Sequence, residues 1–364
     1  MVLSGISLNG NVMTIATHIL LALSQVLVGA ELNREPATSV PDEDAKASLS
    51  IELHLDEAWF GPYEEPKLLV VISNTSGQTL ELPAILEFGG HGPAFFEREY
   101  QGSSSNGTNG SFVRVERSSR RQLVGRSLGV APTLAPGEFT LTELDLHSLG
   151  SFELGTKCRI RVHLKYEIDF GPGSSNSGVV KFVDGHEAGS HSSALSAVSP
   201  VIEFGFERVT NLADVAAIEA LSGKPYNHAE FASTFEHDRK FPRGVMRRAV
   251  HRGASSFATD FKSSKVSRYA RELELSYQVI SSTKSSTPDF EAANLEAVLA
   301  SARLDSREDD FLHLVLLRWS MRSSAQAVEL CNAARDLLSN NHEGSSGWLK
   351  AKAGGLLSVS TSKD

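Results

Sequence analysis

The feature that most constrains this chain is a change of pattern around Ser199-Pro200-Val201-Ile202-Glu203-Phe204. Between about Ala47 and Phe206, short apolar/polar alternations are broken by Gly, Pro, Asn and Ser, the rhythm of β-structure. From Asn211 onward, apolar residues recur at steps of three and four, the rhythm of helices. The chain therefore reads as strands followed by helices, with little interleaving.

The strand half carries several distinct signals. Ser48 to Leu55 alternates strictly, as a half-buried strand does. Lys67 to Ser73 is continuously apolar and ends in the turn Asn74-Thr75-Ser76-Gly77. Thr79 to Pro83, Ile85 to Phe88 and Phe112 to Glu116 alternate again, and Phe139 to Leu146 leaves the turn Ala135-Pro136-Gly137. Lys157 to Tyr166 is the cleanest amphipathic strand, with Ile160, Val162 and Leu164 on one face and Arg159, Arg161, His163 and Lys165 on the other. Phe170 to Ala194, rich in Gly and Ser, reads as a long loop before a last strand, Val198 to Phe206.

In the helical half, Asn211 caps a helix through Leu221. A second helix is predicted over Arg243 to Phe261. Val266, Tyr269, Leu273, Tyr277 and Ile280 form one stripe, and Ala325, Val328, Cys331, Ala334 and Leu338 another. Thr287-Pro288 opens a helix from Asp289 to Leu304, Ser306 caps Glu308 to Met321, and Ser346 opens a short final helix.

The strand half resembles the immunoglobulin-like domains of exported bacterial proteins. The matching residues run from Leu69 to Pro83 (LVVISNTSGQTLELP), then Leu134-Ala135-Pro136-Gly137-Glu138, Leu144-Asp145-Leu146, Gly155 to Val162 (GTKCRIRV) and Ser199 to Phe204 (SPVIEF). The resemblance implies an all-β, immunoglobulin-like sandwich over residues 47–206, without the disulfide of antibody domains. Ser267 to Leu273 (SRYAREL) and Trp348 to Lys352 (WLKAK) are similar to the helix-pair, tetratricopeptide-like regions that follow such sandwiches. That likeness implies an all-α, repeat-like domain over 207–364.

Charge is uneven. Residues 1–206 hold 14 Lys and Arg against 24 Asp and Glu, whereas 207–364 hold 21 against 20. An acidic strand half argues against nucleic acid as a partner, because phosphate binding needs a basic surface. Ile15 to Ala30 is a nearly uncharged apolar run ending in Val28-Gly29-Ala30, which reads as an export signal over residues 1–30. It lacks a basic flank whether the chain starts at Met1 or Met13. An acidic linker, 31–46, follows. Cys158 and Cys331 fall in different halves and read as buried free thiols.

No residue set carries a recognisable reaction. His186 and His191 in Gly185-His186-Glu187-Ala188-Gly189-Ser190-His191 are five apart, not the four of a zinc-protease helix, and the glycines oppose a helix there. Asp309-Asp310 reads as a solvated helix start. Catalytic, cofactor and metal residues are accordingly assigned as none. Arg243, Arg247, Arg248 and Arg252 form a basic stripe for an anionic envelope component, and the arginines from Arg114 to Arg126 form a second basic cluster. Asn74, Asn106 and Asn109 open glycosylation sequons. The expectation is an exported, non-catalytic binding or scaffold protein that recognises a protein partner. The alternatives are an inhibitory or hydrolase-associated module and, last, an enzyme using His91, His163 or His186.

Overall fold

The structure, a computed structural model, describes residues 49–82, 87–88, 94–100, 112–115, 123–124, 126–127, 133–169, 179–182, 194–237, 244, 246, 260–282, 294–302 and 307–358. The chain divides into two compact units, Met1–Ala45 and Lys46–Asp364. All described residues belong to the second. The export-like run, the linker, His91, His186, His191, the sequons at Asn106 and Asn109 and the stripe Arg243, Arg247, Arg248 and Arg252 lie outside the described residues.

A strand region precedes a helical region, as the pattern predicts. The main strands are β1 (Leu49–His54), β2 (Trp59–Phe60), β3 (Lys67–Asn74), β4 (Leu80–Glu81), β5 (Ala94–Tyr100), β6 (Phe139–Asp145), β7 (Lys157–Asp169), β8 (Val179–Phe182), β9 (Ala194–Val198) and β10 (Ile202–Phe206). One sheet runs β1-β3-β6 with the short strand Arg126–Ser127 beyond β6, antiparallel throughout. The other is built on β7, which pairs antiparallel with β5, β9 and β10 and parallel with β8. β2 joins this sheet alongside β10, in parallel.

The two sheets share an apolar cluster. Ile51, Leu68, Val70 and Ile72 enter it from the first sheet, and Ile160, Val162, Leu164, Phe204 and Phe206 from the second. β3 is buried on both faces, which explains its unbroken apolar run. Its even-numbered residues face the shared cluster, while Leu69 and Val71 join Leu141 and Leu349 in a small cluster on the far side.

The helices are α1 (Leu212–Ser222), α2 (His228–His237), α3 (Lys265–Ser282), α4 (Leu295–Ala302), α5 (Glu308–Trp319), α6 (Ala325–Asn341) and α7 (Ser346–Ala353). Asn211 caps α1 by accepting from Ala213 N, and Gly223 closes it in the left-handed conformation at φ 70°. The packing does not break where the pattern changes. Ala217, Ile218, Phe231, Phe235, Val266, Tyr269 and Ala270 belong to the same cluster as the sheets. Phe235 stands 5.2 Å from Phe206 and 5.7 Å from His147, ring to ring. A second cluster fills the helical end, with Phe311, Leu312, Val315, Trp319, Leu330 and Leu338 at its centre.

Several elements differ from expectation. The Gly/Ser-rich stretch from Phe170 to Ala194 contains β8, because Lys181 and Phe182 pair with β4. The last strand is two strands, since Ser199-Pro200 interrupts it and Pro offers no donor to the ladder. α2 has no counterpart in the expected helices. α4 is described over Leu295–Ala302, the rest of the expected 289–304 helix lying outside the described residues apart from residue 294, and α5 stops at Trp319. α3 has two buried faces in succession: Val266 and Tyr269 enter the first cluster, Leu275 and Val279 the second, while Ile280 is left 39% exposed.

Candidate functional site

The densest chemistry among the described residues lies where the helical end meets the sheets. The β1–β2 loop brings Asp56 and Glu57, and the β2–β3 loop brings Glu64. α3 contributes Arg268, Tyr269 and Glu272, while the start of α5 contributes Arg307, Asp309 and Asp310. α7 adds Ser346 and Lys350.

Arg307, only 8% exposed, is the hub. Its Nη2 donates to Glu64 Oε2 at 3.0 Å, and its Nη1 lies 3.2 Å from Glu272 Oε2. Its Nε is buried without a hydrogen-bond partner among the described residues. Arg268 Nη2 sits 3.5 Å from Glu64 Oε1 and 3.6 Å from Glu57 Oε1. Burial raises the Glu64 carboxyl above the usual range, and Arg307 only partly offsets it. Burial likewise lifts Glu272 to about 7, opposed by Arg307 and reinforced by Asp310 and Glu64.

Lys350 holds the other side. Its Nζ donates to Asp310 Oδ1 at 2.6 Å and reaches Glu143 of β6 at 3.0 Å. Burial pulls its pKa down, but Asp310 and Glu143 outweigh that and raise it. Asp309 Oδ2 accepts from Gly347 N at 2.7 Å and from Ser346 Oγ at 3.2 Å, so a carboxylate of α5 caps the first turn of α7. This corrects the reading of Asp309-Asp310 as a solvated helix start: Asp309 is 3% exposed. Asp56 stands against the same group. Burial, then Asp310, lifts it to about 7, with Ser346 and Lys350 opposing. His313 is pushed down to about 4, by burial first and then by Lys350.

Beside this network a small cleft of about 20 Å³ is lined by Pro62, Tyr63, Glu64, Val209, Val266 and Tyr269. The polar groups at its rim are paired: Lys265 Nζ with Glu207 Oε2 at 2.6 Å, and Asp214 Oδ1 with Ser264 Oγ at 2.7 Å.

His163 lies on the other face of β7, where Glu97 Oε2 is 2.8 Å from its Nε2 and 2.6 Å from Arg161. Arg159 meets Glu99 at 2.8 Å, and Lys157 meets Glu203. The Arg161 guanidinium also lies 4.3 Å from the Phe112 ring centre. The predicted polar face is thus a ladder of cross-strand ion pairs. Arg114 is exposed on a short strand beside β5. Asn74 is fully buried. Its amide donates to Gln78 O at 2.7 Å and Leu134 O at 2.8 Å, so this sequon asparagine holds a turn. Cys158 and Cys331 are free and buried, and burial pushes the Cys158 thiol up to about 12.

Sequence reasoning missed the charged junction. Its members are scattered from residue 56 to residue 350, and no local spacing unites them. The available signal was charge inside apolar contexts: Arg307 just before the apolar stripe of α5, and Lys350 between Leu349 and Ala351.

At the closed end of the α5–α6 hairpin three apolar side chains are exposed among Arg318, Arg322, Gln326 and Glu329. Leu317 is 42%, Val328 47% and Met321 88% exposed. Among the described residues no helix is long and apolar enough to cross a membrane. Comparison with protein-family models returns no match. Comparison with curated proteins returns none either. Among solved structures, the chain is similar to Spo0M, a sporulation control protein from Bacillus subtilis, at 12% identity and a TM-score of 0.24, over 48% of this chain and 56% of that one.

Proposed function

We propose that the chain is an exported, non-catalytic binding or scaffold protein of the cell envelope or exterior, and that its partner is a protein. The observation that carries this reading is the set of exposed apolar side chains around the α5–α6 turn: Leu317 in the last turn of α5, Met321 in the turn Ser320–Ser324 and Val328 in the first turn of α6. Single exposed apolar side chains are ordinary. A group of them at one tip is the usual mark of a protein contact.

The charged junction supports a structural role for its residues. Its buried cations are engaged with carboxylates across the sheet–helix contact, in the manner of a fastening. Export is supported by the apolar run from Ile15 to Val28-Gly29-Ala30. An immunoglobulin-like character for the strand region and a helix-pair character for α5–α6 belong to the same proposal. The antiparallel sheet β1-β3-β6 and the short α5–α6 turn support them.

The test is a Leu317→Glu/Met321→Glu variant compared with the unaltered chain in cross-linking against envelope extract. Met321 is almost fully exposed and Leu317 42% exposed, so the variant is expected to fold, and a cooperative thermal melt checks that it does. One specific protein, captured by the unaltered chain and lost by the variant, is the expected result. Equal capture by both, or no specific capture by either, overturns the reading. N-terminal sequencing of the mature product, expected to begin at Glu31, tests export.

A further inference from the structure

A groove of about 420 Å³ opens between α4 and α6. α4 brings Leu295 and Glu296 from its first turn. α6 brings Ala333, Asp336 and Leu337, with Asn340 and Asn341 from its last turn. Leu295 is fully buried, and Ala333 and Leu337 are half-buried against the helical cluster, so they form an apolar floor. Glu296, Asp336, Asn340 and Asn341 are exposed and form a polar rim. Pockets that bind ligands run from about 300 to 1,000 Å³ and combine apolar walls with a few polar groups in this way. The cleft beside the charged junction, at about 20 Å³, has room for little more than a water molecule.

The rim is negative and not neutralised from within. Among the described residues neither the Glu296 nor the Asp336 side chain has an ion-pair or hydrogen-bond partner. Arg335, next to Asp336 in the chain, is turned elsewhere: its Nη1 donates to Asn332 Oδ1 at 2.9 Å and its Nε to Leu356 O at 2.8 Å. α6 ends at Asn341, so the negative end of its helix dipole lies at the same rim. Asn340 and Asn341 add side-chain carbonyl oxygens that accept hydrogen bonds. Two carboxylates and a helix C-terminus attract cations and repel anions. A bare cation would leave the apolar floor wet. A peptide segment that carries an apolar residue among Lys or Arg residues satisfies the floor and the rim together.

We propose that the α4–α6 groove is a docking site for a basic segment of a partner protein, with an apolar side chain of the segment seated on Ala333 and Leu337 and its flanking Lys or Arg residues paired with Glu296 and Asp336. The rim charges select the segment, and the floor supplies the apolar burial. The groove is separate from the exposed side chains at the α5–α6 turn. Val328 and Leu337 are nine residues apart on α6, about 13 Å along the helix.

Fluorescence anisotropy of a labelled synthetic peptide, with Leu and Lys at helical spacing, reads this docking when titrated with the full chain. The same peptide with Glu in place of Lys is the control. The Lys peptide is expected to bind, less tightly as salt rises, and the Glu peptide not to bind. Glu296→Lys/Asp336→Lys is expected to weaken binding about tenfold, since each exposed ion pair contributes a few-fold. Glu153→Lys/Glu236→Lys changes the net charge equally at exposed positions in the strand region and in α2, and is expected to leave binding unchanged. Ala333→Gln lays a longer side chain over the floor without changing the charge, and is expected to weaken binding to a similar degree. Amide chemical shifts of the unaltered chain give a reading that does not depend on any variant folding. With the Lys peptide they are expected to move at Leu295, Glu296 and from Ala333 to Asn341. Leu317→Glu/Met321→Glu is expected to bind the peptide at least as tightly as the unaltered chain, which keeps this test distinct from that of the α5–α6 turn. No binding of the Lys peptide, equal binding of the Glu peptide, equal weakening by both charge-reversal pairs, or shift changes confined to other residues overturns the proposal.

Discussion

At the scale of single residues, the buried polar contacts set the costs of substitution. Asn74 satisfies Gln78 O and Leu134 O with its amide, and its Oδ1 accepts from Ser76 N at 2.9 Å. Asn74→Ala leaves these backbone groups unpaired in a buried turn, and each such group costs about 1–3 kcal/mol. The expected loss is about 2–4 kcal/mol after partial rescue by water, read as a lower urea midpoint at unchanged slope. Gly347 is constrained differently. A Cβ there would lie 2.1 Å from Asp309 O, a backbone atom that cannot swing away. Gly347→Ala must push α7 off the start of α5 and is expected to cost about 1–3 kcal/mol, the usual range for overpacking, seen as a lower melting temperature. Arg307→Met removes the hub cation and leaves Glu64 buried without that partner, facing the half-buried Glu272. Breaking a buried pair in this way costs about 3–5 kcal/mol. Loss of the Arg307 attraction raises Glu272 further, so the variant loses most stability at high pH and regains some of it near pH 5.

At the scale of elements, β3 and β7 make a controlled contrast. In β7, burial alternates: Leu164 is 2% exposed, whereas Lys165 is on the open face. In β3 it does not, since Leu68 and Leu69 are both fully buried. Leu164→Ala should cost about 2–5 kcal/mol and Lys165→Ala less than about 0.5 kcal/mol. Leu68→Ala and Leu69→Ala should both cost about 2–5 kcal/mol, even though they face opposite sides of the sheet. A chemical-denaturation series across the four variants checks this. The same two strands show what the sequence made legible. Period-two alternation marked β7, its inward residues and its charged outer face, because one neighbour packs on one side only. The unbroken run of β3 marked a strand buried on both sides without saying that Leu349 of α7 covers the second side. α2 escaped notice because Phe231 and Phe235 alone anchor it, too few to show a period. The charged junction escaped because its residues are joined by folding and by no spacing in the chain.

At the scale of the molecule, the change of pattern near residue 206 is a change of secondary structure within continuous packing. Phe60, Phe204 and Phe206 are each at most 1% exposed. Part of what covers this region comes from beyond the boundary: Phe235 against Phe206, Phe231 against Tyr63 at 6.0 Å, and Tyr269 and Val266 in the same cluster. A truncated chain ending at residue 206 would therefore expose these aromatic surfaces to water. Burying one such ring contributes about 1.5–3 kcal/mol, and a domain holds only about 5–15 kcal/mol of net stability. The truncated chain is expected to bind a hydrophobic dye strongly and to lack a cooperative thermal transition, whereas residues 46–364 should melt cooperatively near pH 6. Far-ultraviolet dichroism, which follows the helices, and the fluorine-19 resonance of 5-fluorotryptophan at position 59, resolved from those at Trp319 and Trp348 and reporting the strand region beside β10, should then give coincident curves. Two separated transitions in the longer chain, or a sharp melt of the truncated one without dye binding, would show that the helices merely sit against the strand region. In that case the aromatic contacts around Phe206 contribute far less than their burial implies.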